Sequence, residues 1–293
     1  DLSRLRGLLA YEPEEFVFTA FAGTPIAEVE EALRAHGQYL PFDPPLAGKG
    51  ATLGGTVAAG LSGPSRHRYG GLRDFLLGVR FVDGEGRAVR GGGKVVKNAA
   101  GFPFHRLMEL SFKVFPRPRT TRTLRVRREG LKEALADLER LRLLPLDLLA
   151  LDLVPPATLE LRLGGFERSV EARLKRLQDL LGDGEVLAED EAHWEAVRDL
   201  GFLEGSPIWV KVPAKPHLIP RLEALPLGPR RYLDGGEVLY AGTTEEGLKA
   251  LREEGLPHLV LRGAEAPLFP EPQGAFFAGV KKALDPKGRF PLG

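Results

Sequence analysis

Two hydrophobic periods run along this chain, and the switches between them mark out its elements. Phe16 to Ala22 reads as a strand. Thr24 and Pro25 then stand where a helix would be capped, and Ile26, Val29 and Leu33 recur behind them at helical spacing. After a glycine-dense stretch, "LLGVRFVDGEGRAVRGGG" has the form of a hairpin, two apolar runs around Asp83-Gly84-Glu85-Gly86. "LSFKVFP" supplies one more strand, and Pro116 and Pro118 mark a boundary, so that "PRPRT" reads as a linker.

Beyond the boundary the order of elements repeats although the sequence does not. From Leu124 the series is strand "LRVR", helix "LKEALADLERL", strands "DLLALDL" and "TLELRL", helix "SVEARLKRLQDLL" and the weaker strand "EVLAE". Helix "DEAHWEAVRDL" joins it to a second series: "IWVKV", "HLIPRLEAL", "RRYLD", "EVLYAG", "EEGLKALREEG" and "HLVLRG". Each is β-α-β-β-α-β, the ferredoxin-like unit. Two units side by side predict one long antiparallel sheet with helices on one face. The stripe Leu131, Leu135, Leu138 and Leu141 should then face the sheet, with Trp194 and Trp209 packed in the same region.

Composition narrows the functions open to such a chain. At 293 residues two domains are expected. A net charge of +1 with both signs interspersed gives no footprint for nucleic acid. There is no cysteine, hence no disulfide and no cysteine-ligated iron–sulfur cluster, which points to the cytoplasm and to electron transfer, if any, toward a partner. No apolar run approaches the ~20 residues of a membrane span, so membrane contact would be peripheral. A single asparagine and few glutamines resemble a thermophile's avoidance of thermolabile amides. The only methionine is Met108, and Asp1 is too large to follow an efficiently removed initiator, so residues upstream of Asp1 are expected.

The conspicuous chemistry lies in "KGATLGGTVAAGLSGP", Lys49 to Pro64. A phosphate held by backbone needs converging N–H groups, no Cβ in the way and, ideally, a helix N-terminus behind them. Gly54-Gly55-Thr56 followed by "VAAG" has those parts, yet neither the dinucleotide fingerprint nor the P-loop pattern is present. On composition alone a tight loop under close backbone packing explains it equally well.

The longer stretch "GATLGGTVAAGLSGPSRHRYGGLRDFLLGVRFVDGEGRAVRGGGKVVKNAAGFPFHRLM" resembles the flavin-binding domain of the vanillyl-alcohol oxidase/PCMH superfamily, and more narrowly the E-subunit family of bacterial glycolate oxidase (glycolate dehydrogenase). The similarity covers residues 11 to 118 closely, with "LDPKGRF" near the C-terminus as a second, shorter match. The fold class it implies is α+β: a PCMH-type FAD-binding domain over residues 1–118, its N-terminal part missing, then a cap domain over 119–270 made of two ferredoxin-like βαββαβ units in an antiparallel sheet. A C-terminal helix and tail, 271–293, would return to the FAD domain. The implied cofactor is FAD, held noncovalently because no cysteine exists and no histidine or tyrosine stands in a recognised attachment context.

Carried over residue by residue, the resemblance implies Gly54, Gly55 and Thr56 at the pyrophosphate, Ser62 and Gly63 beside the flavin ring, and "KNAAGF", with Lys97, Asn98 and Gly101, along the cofactor groove, with Gly50 and Thr52 also among the cofactor-binding residues. It also brings His67 and Tyr69 of "SRHRYG" toward the ring; the alternative is a solvated basic turn. Lys97 and Asn98 could equally be loop caps, and Arg66, Arg68 and Arg73 either an anion patch or solvated charge. Two family elements are absent, a Pro-x-Gly-x-Gly-Thr loop upstream of residue 11 and a Gly-Ser-x-Gly-Thr-Leu-Gly-Val segment after Met108. The expectation is that both are mobile segments missing from this sequence rather than lost in evolution.

Catalytic signals are thin, and no catalytic residue is assigned. Oxidation of a 2-hydroxy acid needs a base, a cation for the carboxylate and a hydride acceptor. The six histidines stand singly, with no H-x-G-D-G-N or H-E-x-x-H pattern, which also argues against a metal. The family implies an oxidoreductase subunit that is inactive when isolated and works in a hetero-oligomer, with a catalytic flavoprotein and an iron–sulfur subunit as partners and a 2-hydroxy acid as the complex's substrate. Its place would be cytoplasmic, peripheral to the inner membrane through those partners. A flavoprotein-like scaffold with weak or no flavin binding, and a self-sufficient FAD-linked oxidoreductase, stay open beside it.

Overall fold

A computed structural model of the chain describes residues 4–92, 107–182 and 184–264, together with the single positions 282 and 287. Lys97, Asn98, Gly101 and the C-terminal helix expected over 271–293 lie outside the described residues, apart from those two positions. The chain divides into two compact units: residues 1–62, 70–117 and 267–293 form one, residues 63–69 and 118–266 the other.

The described part of the first unit is a five-stranded antiparallel sheet in the order β1-β2-β6-β4-β5. The strands are β1 (Leu8–Glu12), β2 (Val17–Phe21), β4 (Leu76–Val82), β5 (Ala88–Gly92) and β6 (Leu107–Lys113). A two-stranded ribbon pairs β3 (Gln38–Tyr39) with β7 (Phe115–Pro116). Helices α1 (Ile26–Arg34) and α2 (Leu53–Ala59) belong to this unit, and the turn α3 (Arg66–Tyr69) to the other. The hairpin read from residues 76–93 is β4–β5, with Val82 paired to Ala88 across the Asp83 turn. Ile26, Val29 and Leu33 are buried on α1 as their spacing requires.

Thr24 does not cap α1, whose N-cap is Pro25; its hydroxyl accepts the Gly7 N–H and donates to the Gly7 carbonyl instead. The core is aromatic: the Phe42 ring stacks on Phe75 and Phe112, and Phe112 on Phe18, at centroid distances of 5.7–5.9 Å. Strand β1 was not anticipated. It pairs with β2 around the turn Pro13–Glu15, which ends on Phe16 in the left-handed region at φ 55°.

The second unit holds one eight-stranded antiparallel sheet. Its strands are β8 (Thr120–Arg127), β9 (Ala150–Val154), β10 (Thr158–Gly165), β11 (Glu185–Leu187), β12 (Ile208–Pro213), β13 (Arg230–Leu233), β14 (Val238–Thr243) and β15 (Leu259–Arg262), ordered β11-β8-β10-β9-β13-β14-β12-β15. Each half is thus a four-stranded ferredoxin-like arrangement, and the halves meet where β9 lies against β13, Leu153 opposite Tyr232. The helices are α4 (Leu131–Arg142), α5 (Glu167–Leu181), α6 (Glu191–Arg198), α7 (Ile219–Glu223) and α8 (Glu245–Glu253).

The two faces of this sheet differ because alternate residues of a strand point to opposite sides. Leu151 and Leu153 on β9, Leu159, Leu161 and Leu163 on β10, and Val210 and Val212 on β12 form one leucine-rich core with Leu138 and Leu141 of α4, Val170 and Leu177 of α5, Leu222 of α7 and Leu248 of α8. Leu131 and Leu135 pack against it half-buried. Ala150 turns the other way, to a small cluster with Trp194 and Val197 of the linking helix α6. Between those leucines sit Asp152 and Glu160, and on β13 Arg231, all three buried.

Candidate functional site

The glycine-dense stretch folds as a short 3₁₀ turn, Ala47–Lys49, followed by α2. Gly50 ends the turn in the left-handed region at φ 82°, and Gly60 ends α2 in the same region at φ 58°. A Cβ at either position would meet nothing within 4 Å among the described residues.

The first turn of α2 departs from the expected phosphate cradle. Its N–H groups have partners inside the unit: Leu53 donates to the Thr24 carbonyl at 3.0 Å, Gly54 to the Ala22 carbonyl at 2.7 Å and Thr56 to the Thr52 carbonyl at 2.9 Å. Gly55 donates to the Thr52 hydroxyl, the N-cap, at 3.2 Å. Gly54 is glycine for packing, since a Cβ there would lie 2.9 Å from both the Cβ and the carbonyl oxygen of Ala22. Gly55 is exposed, and its Cβ would approach only the Thr52 hydroxyl, at 3.3 Å. Thr56 is buried with a hydroxyl that has no hydrogen-bond partner among the described residues. Leaving such a group unpaired costs about 1–3 kcal/mol. The residues present therefore fit a polar cofactor through the Thr56 hydroxyl, the open side of Gly55 and the uncrowded Gly50 and Gly60, rather than through a fan of free amides.

Ser62 closes this stretch as a structural residue, buried and accepting the Leu72 N–H at 2.9 Å. Gly63, His67 and Tyr69 fall in the second unit. "SRHRYG" is a helical turn, and it is not simply solvated. The Arg66 Nε donates to Asp234 Oδ2 at 2.7 Å, His67 Nδ1 lies 3.3 Å from Asp234 Oδ1, and Arg68 pairs with Asp147. The Arg68 guanidinium stands 5.3 Å from the centre of the Tyr69 ring. Arg73 is exposed and belongs to the first unit.

Strands β9, β10 and β13 assemble a charged group that the sequence reading did not single out. Arg231 donates from Nε to Asp152 Oδ2 at 2.7 Å and from its terminal nitrogen to Glu160 Oε2 at 2.5 Å. The His193 Nε2 lies 2.7 Å from the same Glu160 oxygen. Asp190 accepts from Thr121, Thr123 and Arg162, and the Trp194 indole donates to Thr123 at 2.7 Å while its ring lies under Arg162 and Arg231. Asp152 Oδ1 is buried with no hydrogen-bond partner among the described residues. Burial pushes the Asp152 carboxyl up to about 6, against the pull of Arg231. Glu160 is also buried, yet its hydrogen bond from His193 and the Arg231 charge hold its carboxyl below the usual range. The available signal was the run of charged residues alternating with leucines in "LDL", "LELRL" and "RRYLD", a pattern of period two with no solvent-facing explanation once both faces are covered.

Among the described residues no group of histidine, aspartate and glutamate could hold a metal ion, and no helix is long and apolar enough to cross a membrane.

Comparison with known proteins agrees with this architecture. An FAD binding domain family matches residues 1–92. The fold is shared with p-cresol methylhydroxylase, a solved structure that superposes with a TM-score of 0.71 over 98% of this chain and 77% of that one, at 15% identity. D-lactate dehydrogenase of Anaerostipes hadrus is 29% identical over 46% of this chain, which spans 30% of that protein's length. Glycolate oxidase subunit GlcE of Escherichia coli is 35% identical along the entire chain and over 85% of its own length. Similarity of that extent, on a PCMH-type FAD-binding fold, means that this chain belongs to the GlcE family of glycolate oxidase subunits, flavoprotein oxidoreductases whose cofactor is FAD.

Proposed function

We propose that the chain is the FAD-binding subunit of a multi-subunit glycolate dehydrogenase acting on 2-hydroxy acids beside a separate catalytic flavoprotein and an iron–sulfur subunit. The observation that carries this reading is the similarity along the full chain to a protein that is itself a glycolate oxidase subunit. The FAD-binding domain would span residues 1–118 and the cap 119–270, in a cytoplasmic assembly that reaches the inner membrane through its partners.

Bound FAD supplies a two-electron acceptor for the substrate's hydride. The Thr56 hydroxyl would donate to the cofactor, the open side of Gly55 and the bare backbone at Gly50 and Gly60 would let it approach, and the Ser62–Leu72 bond would hold the end of the stretch. Lys97, Asn98 and Gly101 would complete the binding groove. Arg66 and Arg68 do not offer a free cation for the substrate carboxylate, since Asp234 and Asp147 already neutralise them. With no cysteine to ligate a cluster, this chain would carry no iron–sulfur relay of its own, which favours transfer of electrons to a partner. Both points support a reaction shared with partner subunits; on this reading the isolated protein supplied with FAD and an artificial acceptor should not oxidise glycolate or D-lactate. Turnover near the ~10 s⁻¹ typical of enzymes would establish the self-sufficient alternative.

The internally bonded amides of α2 favour a second reading, a flavoprotein-like scaffold that keeps the fold for assembly. The absorbance spectrum separates the two. Flavin bands that stay with the protein purified alone support the first reading, and their absence both alone and with partners supports the second.

A further inference from the structure

The two four-stranded halves of the second unit's sheet share little backbone. β9 and β13 pair at one position, Leu153 with Tyr232, whereas β9 and β10 pair at five and β13 and β14 at four. One further bond crosses beside it, from the Gly235 N–H to the Leu151 carbonyl at 2.7 Å. On the helix-covered face the seam is apolar. Leu138 of α4 and Ile219 of α7 belong to one core, and a Cβ on Gly236 would lie 3.2 Å from the first and 3.1 Å from the second. The opposite face is polar and lopsided. Helix α6 is tied there to the first half: Asp190 accepts from Thr123 and Arg162, His193 meets Glu160, and Trp194 donates to Thr123. Arg231 comes from the second half and enters this group, with Nε on Asp152 at 2.7 Å, a terminal nitrogen on Glu160 at 2.5 Å and the guanidinium 5.0 Å from the centre of the Trp194 ring.

We infer that the β9–β13 seam is a hinge inside this unit and that the Arg231–Asp152 pair is its latch. The leucine core is the pivot, since packed helices slide by small shears, and the polar face is the side that opens. Opening breaks one ladder position and the Gly235 bond, a smaller loss than at the other ladders of this sheet, where three or more positions pair. Asp152 makes the latch responsive to protons. Its Oδ1 is buried with no hydrogen-bond partner among the described residues, and burial pushes the carboxyl up to about 6 against the pull of Arg231. Opening admits water to Oδ1 and returns the group toward its usual value near 3.9. The closed seam therefore binds the proton more tightly, is favoured at low pH, and opens more often as pH rises through about 6. Glu160, Arg231 and the charge of His67 on α3 act on Asp152 directly. Arg125 on β8 and His193 bind Glu160, and Arg66 and His67 share Asp234. His193 and Arg231 hold the Glu160 carboxyl below the usual range, so it stays charged across this window.

Amide hydrogen exchange of the full chain, corrected for the intrinsic rate at each pH and followed through low urea, tests both parts. A local opening exposes little surface and depends weakly on urea, unlike global unfolding. The Gly235 amide, whose bond crosses the seam, should exchange by such a urea-insensitive route, ~10-fold or more faster than the amides at the centres of β10 and β14. Its opening constant should rise roughly 50-fold from pH 4 to pH 8, as a carboxyl moving between about 6 and about 3.9 requires. Asp152→Asn keeps an acceptor for Arg231 and cannot ionise, so its Gly235 opening should stay flat over the same range. His67→Gln and His193→Gln should keep the rise. A Gly235 amide that matches β10 and β14 in urea dependence shows one cooperative sheet and overturns the hinge. That comparison uses wild type alone and stands even where a variant fails to fold. A urea-insensitive opening that is flat with pH in wild type, or that rises equally in Asp152→Asn, overturns the latch.

Discussion

Between Gly50 and Ser62 the first unit is conspicuous in sequence because it lacks side chains, whereas the seam of the second unit's sheet is inconspicuous because its charged side chains are scattered from Arg66 to Asp234. In the folded protein their weight is reversed. The glycines split into different reasons: Gly54 makes room for Ala22, Gly50 and Gly60 close turns, and only Gly55 stands open on the surface of its helix. The scattered charges converge instead on one buried group in which Arg231 joins Asp152 and Glu160, and the Asp234 turn is bonded to β9 beside it. A dense motif is thus partly packing, and a motif spread over the chain by strand pairing leaves no local trace.

The comparison breaks most visibly if the seam tolerates loss of its cation. Arg231→Ala strips the buried Asp152 of its cation, while Glu160 keeps Arg125 and His193, and removing one partner of a buried ion pair costs about 3–5 kcal/mol. Urea unfolding at pH 7 should show that loss. A cost below ~1 kcal/mol, the scale of an exposed pair, would mean that solvent reaches the group and that it resembles any surface cluster.

A smaller effect sharpens the same point through pH. The Asp152 carboxyl is pushed up to about 6 by burial, above its value near 3.9 in an unfolded chain, so the folded state binds that proton more tightly. The associated stability is present at low pH and is lost as pH rises through about 6. Glu160 has the opposite sign, its contribution being present above the unfolded carboxylate range and lost on acidification. Asp152→Asn keeps an acceptor for Arg231 and cannot ionise. Between pH 4 and pH 7, wild type should lose about 2–3 kcal/mol relative to that variant in urea unfolding. A difference that stays flat across the series would show Asp152 ionised throughout.

How much of this could be read beforehand follows from the range of the forces involved. Helical and strand periods are local, so both β-α-β-β-α-β series, the hairpin β4–β5 and the buried face of α1 were legible. Strand β1 was not, because "LLAYE" is short and its only signal is the Pro13 turn after it. Thr24 looked like a cap because a hydroxyl before proline commonly is one; a backbone partner seventeen residues earlier took it. In the candidate site, His67 was legible as a polar group in a loop, but its partner Asp234 was not, since it stands 167 residues away in sequence.

The smallest change separates packing from binding within the glycine stretch itself. Gly54→Ala would set a methyl group 2.9 Å from the backbone oxygen of Ala22, and overpacking of that kind costs about 1–3 kcal/mol. Gly55 is exposed, and among the described residues a Cβ there approaches only the Thr52 hydroxyl, so the effect of Gly55→Val on thermal stability should stay within ~1 kcal/mol. If FAD approaches over Gly55, the same valine should weaken FAD binding by at least about 1–3 kcal/mol, roughly 5- to 150-fold in Kd by titration of the apoprotein. A variant that melts with wild type and binds FAD less tightly marks Gly55 as a binding position. A variant that melts with wild type and binds FAD unchanged removes Gly55 from the site, and the four satisfied amides of α2 then leave the scaffold reading as the better account of this helix.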